Sequence, residues 1–531
     1  MAPYMQTSFV HACVCIIFLF TVTLYSSNVS AKDVYYLGFL SPFPTPNGDS
    51  LIPVQLAQQW QSAFQVALEV LNSENRTYQL EAVLADTSCS WKKVLSLSHV
   101  LDQTNLIGVV GPACSGAALS ATQYFQQDTP IVSFAATHES LSSRNNYPNF
   151  FRTVYGDKHQ TLAMLSVMEK LDIWNVTIIC AKDYYSLSLA SSIQQIAIQR
   201  VLRLRVLDVG DDSSVSNKQI EEILSSLNSS NVVILALPPS IAKDFWAGAI
   251  QVGKTAYPWW YFGTDGVTAM NPSIDGSPEL AQALQGEIGL APQGGDTTAL
   301  LMCKKFYDYW KEKAYPGLPL PGLDNARSYV THLIDTVALY FEIVDALVKS
   351  NTPVNASNVL SALQGSGAGS PNFKGCTGSV QIDPETGSRM VSASQPAAYD
   401  FVSWVNSSWE LTGRVHDATF ISLQPLVRPM LTYYSMDDLE GALLFGSECT
   451  SRTHWYTALG YRRGTLDMIP PSMHNVDSYS RDIRFVIICS ITLWMIWKVR
   501  CSSVMSAHLG HIGTDMVSSD THTLQSVGFF I

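Results

Sequence analysis

The chain has 531 residues, of which 47% are hydrophobic and only 14% are charged. This composition supplies enough apolar side chains for large cores and excludes a chain that is disordered throughout. The 32 basic and 44 acidic residues give a net charge of −12, which excludes nucleic acid as a partner held by charge alone. After the N-terminal segment, no uninterrupted apolar run reaches about 18 residues, so a multi-pass membrane protein is not expected.

Residues 1–31 are predicted to form a signal peptide. The segment from Val10 to Tyr25 is almost continuously apolar, and Val29-Ser30-Ala31 offers a small-residue cleavage site. A signal anchor is the alternative interpretation. Export would make Asn-X-Ser/Thr triplets candidate glycosylation sites and cysteines candidate disulfide partners. The triplets begin at Asn75, Asn175, Asn228, Asn355 and Asn406.

From Val34 to about Val415, short apolar runs alternate with segments of helical spacing, which is typical of parallel sheets covered by helices on both faces. The predicted strands are Val34–Leu40, Leu80–Asp86, Leu106–Gly111, Pro130–Phe134, Val176–Cys180, Leu204–Val209, Val232–Leu237, Trp259–Gly263 and Glu287–Ala291. Helices are predicted between them, including Gln55–Asn72, a helix capped by Ser90, and one beginning at Ser115. After Lys374, antiparallel strands are predicted at Gly378–Ile382, Tyr399–Trp404 and Trp409–Arg414.

Right-handed crossovers turn such a pattern into doubly wound layers, and about 380 residues exceed one core of this kind. We therefore predict an α/β fold with two doubly wound parallel-sheet lobes joined by a hinge. The bilobed domain is predicted over residues 32–415. Lobe 1 is predicted over about 34–153 and 290–365, and lobe 2 over about 154–289 and 366–415.

The C-terminal part follows a different pattern. Residues 416–484 are predicted to be a juxtamembrane segment or remain unassigned. Residues 485–499 are a candidate single transmembrane segment, because Phe485–Trp497 is apolar over 13 residues and basic residues flank it. A truncated C-terminus is the alternative interpretation. Residues 500–531 are predicted to be an unstructured polar tail.

In open parallel sheets, ligands bind at the carboxyl ends of strands, and two such ends in the first lobe carry suitable residues. Ser115 begins a helix, so its hydroxyl and the N–H groups that follow favour a carboxylate. The loop of Ala135, Ala136 and Thr137 allows close backbone approach and offers a hydroxyl. A plain N-cap serine and an ordinary tight loop are the alternative interpretations.

Two strand ends of the second lobe carry Tyr185 and Asp265. The tyrosine is suited to covering a ligand, and the aspartate to pairing with an ammonium group. Simple packing of the ring and an Asx turn are the alternative interpretations. Together the four ends predict a cleft that closes on a small zwitterion.

The motifs of enzymes and metal sites are missing from the sequence. The chain contains no GxSxG, HExxH or P-loop motif and no CxxC pair. We therefore expect a protein that is not an enzyme and that holds no metal or other cofactor.

The segment from Leu80 to Thr153 resembles the extracellular ligand-binding region of class C G-protein-coupled receptors. A second segment, FKGCTGSVQIDPETGSRM from Phe373, resembles the metabotropic GABA-receptor type, which is the nearest match by eye. The resemblance covers about Val34 to Val415 and implies the bilobed Venus-flytrap fold of periplasmic binding proteins and natriuretic-receptor-like regions. Its motifs are DTSC, GPACS, IVSFAATHESLSS and YPNFFRT, which begin at Asp86, Gly111, Ile131 and Tyr147.

The resemblance implies a disulfide between Cys89 and Cys114, and it places Tyr185 and Asp265 at ligand-contact positions of the glutamate-receptor branch. A second disulfide, Cys303 to Cys376, is predicted by elimination rather than from a motif, and the pairing of Cys180 and Cys449 stays open. The candidate ligand contacts are Cys114, Ser115, Ala135, Ala136, Thr137, Tyr185 and Asp265.

The sequence also departs from both branches of that family. Ala135 stands where the glutamate branch has a serine, and Tyr329 stands where the GABA branch has an acidic residue. The identity of the ligand therefore stays open.

We expect the extracellular region of a cell-membrane, receptor-like protein that senses a small amino-acid-type ligand such as GABA or glutamate by closure of its lobes, as in G-protein-coupled GABA receptor signalling. Homo- or heterodimers through lobe 1 are expected. A secreted or tethered binding protein, or a non-binding partner subunit, is one alternative. A peptide-binding ectodomain similar to those of receptor guanylate cyclases is another.

Overall fold

The structure is a computed structural model that describes residues within 32–422, all of which lie in the first of two compact units, residues 1–460. The predicted signal peptide, the candidate span at 485–499 and the polar tail lie outside the described residues. In the part of the chain that is described, no helix is both long and apolar enough to cross a membrane. Internal stretches outside the description are 45–50, 98–104, 126–127, 172, 174, 198–200, 210–213, 228–231, 256–258, 271–277, 295–300, 314–328, 367–371, 406 and 417–418.

Strands and helices alternate along most of the chain. The strands are β1 Asp33–Ser41, β2 Tyr78–Asp86, β3 Leu106–Val110, β4 Ile131–Ser133, β5 Phe150–Arg152, β6 Asn175–Ala181, β7 Val201–Leu207, β8 Val232–Ala236, β9 Trp260–Gly263, β10 Ile288–Pro292, β11 Asn372–Gly375, β12 Gly378–Gln381, β13 Ala398–Val405, β14 Ser408–His416 and β15 Thr419–Ser422. The helices are α1 Val54–Asn72, α2 Trp91–Ser96, α3 Ser115–Tyr124, α4 Asp157–Lys170, α5 Tyr184–Ile196, α6 Asn217–Ser225, α7 Pro239–Gln251, α8 Asp265–Thr268, α9 Pro278–Ala283, α10 Leu301–Lys313, α11 Val330–Lys349 and α12 Ala356–Leu363, with a 3-10 turn at Glu139–Ser142.

The first lobe contains a parallel five-stranded sheet in the order β2-β1-β3-β4-β5. The central strand β3 is buried along its whole length, as its uninterrupted apolar sequence predicts. Helices α1 and α11 cover one face with large side chains such as Phe64 and Phe341. Helix α3 covers the other face and buries the small residues Ala117 and Ala121, which let it lie close to the sheet.

The second lobe contains an eight-stranded sheet in the order β15-β14-β13-β10-β9-β8-β6-β7. Strands β6 to β10 run parallel, whereas β13, β14 and β15 form an antiparallel extension. Helices α4 and α5 pack on one face, and α6 and α7 pack on the other. The predicted fold class, two doubly wound parallel-sheet lobes, is confirmed.

In the described part of the chain, the backbone passes between the lobes three times, between β5 and α4, between β10 and α10, and between β12 and β13. Two segments lie in a different lobe from the one that we predicted for them. The β11–β12 hairpin packs with the first lobe, because Cys376 is bonded to Cys303 of α10 and buried in that core. Strand β10 completes the second sheet, so residues 290–292 belong there, and β15 extends that sheet beyond residue 415.

Candidate functional site

The two lobes are in contact along the edge where the carboxyl ends of their parallel strands lie. The backbone N–H of Asp157 donates to the carbonyl of Thr137 (2.9 Å), and the N–H of Glu139 donates to Ser188 Oγ of α5 (3.2 Å). Gly116 of α3 lies so close to α5 that an added Cβ would come within 2.8 Å of the Tyr184 ring. The lobes are therefore in direct contact at the edge where the sequence predicts ligand contacts.

Ser115 is the first residue of α3 and is only 3% exposed. The residue before the helix is Cys114, whose side chain makes no capping hydrogen bond, so the alternative interpretation of Ser115 as a plain N-cap is wrong. The Ser115 hydroxyl accepts a hydrogen bond from the backbone N–H of His138 at 3.4 Å. It thereby joins the two first-lobe loops that the sequence singles out.

The loop after β4 is organised by Ser133. Its hydroxyl accepts hydrogen bonds from the N–H groups of Ala135 (3.3 Å) and Ala136 (2.9 Å) and donates to the carbonyl of Pro112 (2.6 Å). Thr137 is 6% exposed, and its hydroxyl has no hydrogen-bond partner among the described residues. In this loop, the Thr137 hydroxyl is thus the group best placed to take a new partner.

Two further features hold the first-lobe loops. Cys89 and Cys114 form the predicted disulfide, with their Cα atoms 5.3 Å apart, which ties the start of α3 to the loop after β2. The buried Arg152 donates through Nη1 to the carbonyls of Ala136 (3.2 Å) and His138 (3.1 Å). Gly156 leaves room for that guanidinium, because a Cβ there would come within 2.5 Å of its Nη2.

The two residues predicted on the second lobe are brought together. The Tyr185 hydroxyl donates to Asp265 Oδ1 at 2.5 Å and accepts from the N–H of Gly266 at 3.2 Å. Asp265 is 3% exposed. Burial and the Asp265 charge raise the pKa of Tyr185 well above its usual value, so the phenol keeps its proton.

Gln160 and Tyr329 also reach Asp265. Gln160 Nε2 donates to Oδ1 at 2.7 Å, and the Tyr329 hydroxyl, which belongs to the first lobe, donates to Oδ2. The backbone of Tyr329 is left-handed, with φ of 62°, and it stands immediately before α11. Asp265 therefore accepts hydrogen bonds from both lobes, a role for Tyr329 that the sequence pattern did not show.

Asp157 is the principal residue that the sequence analysis missed. It is the first residue of α4, is 1% exposed and accepts a hydrogen bond from Ser188 Oγ through Oδ2 at 2.6 Å. Its Oδ1 has no hydrogen-bond partner in the described part of the chain. Burial, with a smaller contribution from the nearby Asp265 charge, raises the pKa of Asp157 to about 7, while the Ser188 and Thr137 hydroxyls act in the opposite direction. The YPNFFRT motif ends only four residues earlier, which is the one local signal that points to it.

The edge thus has two chemically different sides. The first-lobe side presents hydroxyls and the N-terminus of α3, where the first N–H groups have no partner within the helix. The second-lobe side presents the carboxylates of Asp157 and Asp265. This arrangement suits a molecule with a carboxylate at one end and an ammonium at the other. Among the described residues, no group of three His, Cys, Asp or Glu side chains could hold a metal ion.

The sequence of this chain matches a family model over most of the bilobed region. The model is described as the receptor family ligand binding region, and it matches residues 59–394, more than half of the chain. The chain belongs to this family. The family therefore agrees with the class of protein that the motifs indicate.

Curated relatives include a metabotropic glutamate receptor-like protein E of Dictyostelium discoideum, 24% identical over 400 residues, which cover 73% of this chain and 45% of that protein. A taste receptor type 1 member 3 of Canis lupus familiaris is 31% identical over 140 residues, 25% of this chain and 16% of the receptor. The chain thus spans less than half the length of the relatives it matches. They are class C receptors, as predicted, whereas closeness to the GABA type stays a prediction.

Among solved structures, a leucine-binding protein, LivK, of Thermotoga maritima resembles this chain with a TM-score of 0.55. The likeness covers 73% of this chain and 99% of that protein, at 15% identity. Such a likeness concerns the fold alone, and it agrees with the periplasmic-binding-protein architecture that the motifs indicate.

The structure also shows the second disulfide, one free cysteine and the exposure of three of the candidate glycosylation asparagines. Cys303 and Cys376 form a disulfide as predicted, Cys180 is a buried free thiol, and Cys449 lies outside the described residues. Asn75 and Asn355 are exposed, Asn175 is half-buried, and the side chains of Asn228 and Asn406 are not described. Glycosylation at these asparagines stays a prediction.

Proposed function

We propose that the chain is the extracellular ligand-binding region of a receptor-like protein that senses a small amino-acid-type ligand by closure of its two lobes. One observation carries the proposal. Two buried polar atoms, Thr137 Oγ1 on the first lobe and Asp157 Oδ1 on the second, form no hydrogen bond of ordinary geometry with any described residue, although the Thr137 hydroxyl is near enough to Asp157 to lower the pKa of its carboxyl. Buried polar groups in proteins are almost always paired, so unpaired groups at a closed cleft indicate a ligand site.

In this proposal the ligand lies with its carboxylate towards the first lobe. The Ser115 and Thr137 hydroxyls and the N-terminal N–H groups of α3 bind the carboxylate, and the helix dipole favours its charge. The ammonium contacts Asp157, whose ionised form it stabilises, and lies near Asp265. Glutamate and GABA, and the amino acids in general, have this chemistry, so they are the ligands to test first.

The proposal is tested by a thermal-shift screen of the full chain against amino acids, GABA and small organic acids. A ligand that binds only the folded state stabilises it by about 2.7 kcal/mol at about 100 times its dissociation constant. We expect at least one zwitterion to raise the melting temperature. A flat screen on folded protein would contradict the proposal, and stabilisation by peptides alone would favour the peptide-receptor alternative.

A second candidate function is that of a non-binding partner subunit. It is favoured by the environment of Asp265, whose two carboxylate oxygens accept hydrogen bonds from Gln160, Tyr185 and Tyr329 of the chain itself. A carboxylate satisfied in this way gains little from a ligand ammonium. The flat outcome of the screen, together with a dimer containing a second receptor chain, would support this function.

We also propose that the protein acts at the cell membrane, without enzymatic activity, and dimerises through its first lobe. Leu84 of β2 and Trp91 and Leu95 of α2 are each more than 40% exposed, although they are large and apolar. Exposed apolar groups of this kind favour a protein partner. Light scattering of the full chain tests this: Trp91→Ser with Leu95→Ser should convert dimers to monomers, and dimers that persist would contradict it.

A further inference from the structure

A cavity lies at the hinge and shares no lining residue with the candidate site at the cleft. Its volume is about 530 Å³, and residues from all three crossings between the lobes line it. Tyr155 comes from the first crossing, Gln293 from the second, and Gln395 and Pro396 from the third. The first and third crossings are joined there, because the Tyr155 hydroxyl donates to the carbonyl of Pro396 at 3.5 Å.

Arg389 supplies a buried positive charge to this cavity. It lines the cavity and is 4% exposed. Its Nη atoms donate to the carbonyls of Thr153, Thr377 and Ser379 and to the Thr377 hydroxyl, all of which are neutral acceptors. Its Nε has no hydrogen-bond partner among the described residues. A buried guanidinium with a spare donor is an unusual arrangement unless an acceptor completes it.

The carboxylate associated with this guanidinium does not contact it directly. Asp335 stands behind Thr377, from which its Oδ2 accepts a backbone N–H bond of 2.9 Å and a hydroxyl bond. Its Oδ1 accepts from the N–H of Cys376 at 2.5 Å. Asp335 is therefore satisfied by the β11–β12 hairpin, and the Nε of Arg389 remains available to another acceptor.

The rest of the described lining adds no negative charge that would offset the charge of Arg389. His416 of β14 lines the cavity, and its Nε2 likewise has no partner in the described part of the chain. The other polar lining groups are hydroxyls and carboxamides, and none of the described lining residues is an aspartate or a glutamate. The volume exceeds that of a simple inorganic ion, so a small organic molecule fits it better.

We propose that this hinge cavity binds a small organic anion with carboxylate groups, held by Arg389 and His416. Guanidinium groups pair with carboxylates through directional, charge-assisted hydrogen bonds. An occupant in contact with all three crossings binds differently to the open and closed arrangements of the lobes. Such a ligand therefore shifts the balance between them and modulates the cleft from a distance.

The test is calorimetric titration of the full chain with succinate and with its neutral counterpart succinamide, at up to about 10 mM ligand. We expect saturable binding of succinate and at least about tenfold weaker binding of succinamide, since the loss of charge removes the pairing with Arg389. Arg389→Gln should weaken succinate binding by a similar factor. Because that residue is buried, a second variant is needed that leaves the core intact.

Ser394→Trp serves this purpose, because Ser394 lines the cavity from an exposed loop position. We expect the indole to block succinate binding. Ser226→Trp, at an exposed serine after α6, is the matched control and should bind succinate as the unchanged chain does. Binding that survives Ser394→Trp, equal binding of succinamide, or no binding of succinate would overturn the proposal. Loss of succinate binding in Ser115→Ala but not in Ser394→Trp would place the anion in the cleft and overturn it equally.

Discussion

The two sides of the cleft are built in different ways. On the first lobe, Ser115 and Thr137 follow directly after strands, and a disulfide, Ser133 and Arg152 fix their loops. On the second lobe, Asp265 meets groups from distant parts of the chain, Gln160 of the same lobe across 105 residues and Tyr329 of the first lobe across 64.

The contrast has an energetic consequence. The first-lobe side consists of neutral hydroxyls and N–H groups, which cost little when a ligand is absent. The second-lobe side buries the carboxylate of Asp157, and burial disfavours its charged form unless a cation or hydrogen bonds compensate. We therefore expect changes on the second-lobe side to have larger effects on binding than changes on the first-lobe side.

The largest effect is expected for Asp157→Asn. It removes the carboxylate that pairs with the ligand ammonium, so the affinity for L-glutamate, GABA or whichever amino acid binds best should fall by about 2–5 kcal/mol. Calorimetric titration measures this change. Asp345→Asn is the matched control, because that half-buried carboxylate binds Tyr78 and Arg76 in the first lobe. It should alter stability but not affinity; equal losses in both variants would contradict the assignment.

The pH dependence of Asp157 gives an independent check. Its folded-state pKa of about 7 lies above that of a carboxyl in an unfolded chain. Its contribution to stability is therefore fully present below about pH 4 and is lost as the pH rises through about 7. Asp157→Asn should flatten the fall in melting temperature across this window. An unchanged slope would show that Asp157 does not titrate as described.

Next in size is the removal of the disulfide at the first-lobe side. Replacing Cys89 and Cys114 by alanine should lower the free energy of unfolding by about 3–4 kcal/mol, as loop entropy predicts for a loop of this size, and should also weaken ligand binding. Replacing Cys303 and Cys376 is the control, because it costs similar stability away from the ligand loops. Denaturant unfolding and titration of both variants separate the two effects. If both pairs weakened binding alike, the disulfide would have no special part in the site.

A smaller effect is expected for Ser115→Ala. The loss of one hydroxyl partner of the ligand carboxylate should weaken binding by about 1–3 kcal/mol. Ser120→Ala is the control on the same helix, where the hydroxyl donates to the carbonyl of Trp91 at 3.0 Å. Unchanged affinity in Ser115→Ala would refute the carboxylate site at the start of α3.

The smallest effect, about 1 kcal/mol, is expected for Tyr329→Phe. The phenylalanine keeps the packing but loses the hydrogen bond between the lobes, so the closed state should be less stable and the amino acid should bind a few-fold more weakly. Titration gives the sign of the change. A gain in affinity would show that the phenol competes with the ligand for Asp265, and it would support the partner-subunit function.

Local patterns predicted much of this molecule. Buried apolar strands identify both sheets, and residues that directly follow a strand, such as Ser115 and Asp265, are found from spacing. Contacts between distant segments were not predictable in this way. Asp157 begins a helix after the first crossing and carries no motif of its own, and Tyr329 reaches Asp265 only when the lobes meet. The β11–β12 hairpin was placed in the wrong lobe because it was grouped with the antiparallel strands that follow it, although the predicted disulfide between Cys303 and Cys376 already linked it to the first lobe.

The most direct test of the central claim compares an amino acid with its deaminated counterpart, for glutamate the dicarboxylate glutarate. The titrations use Ser394→Trp, in which the hinge cavity is blocked and the cleft is unchanged, and the same variant carrying Asp157→Asn, so that glutarate cannot bind at the hinge. If Asp157 recognises an ammonium group, Ser394→Trp should prefer the amino acid at least about tenfold, and the preference should disappear when Asp157→Asn is added. Equal affinity for glutamate and glutarate in Ser394→Trp, or a preference that survives the addition of Asp157→Asn, would contradict the account.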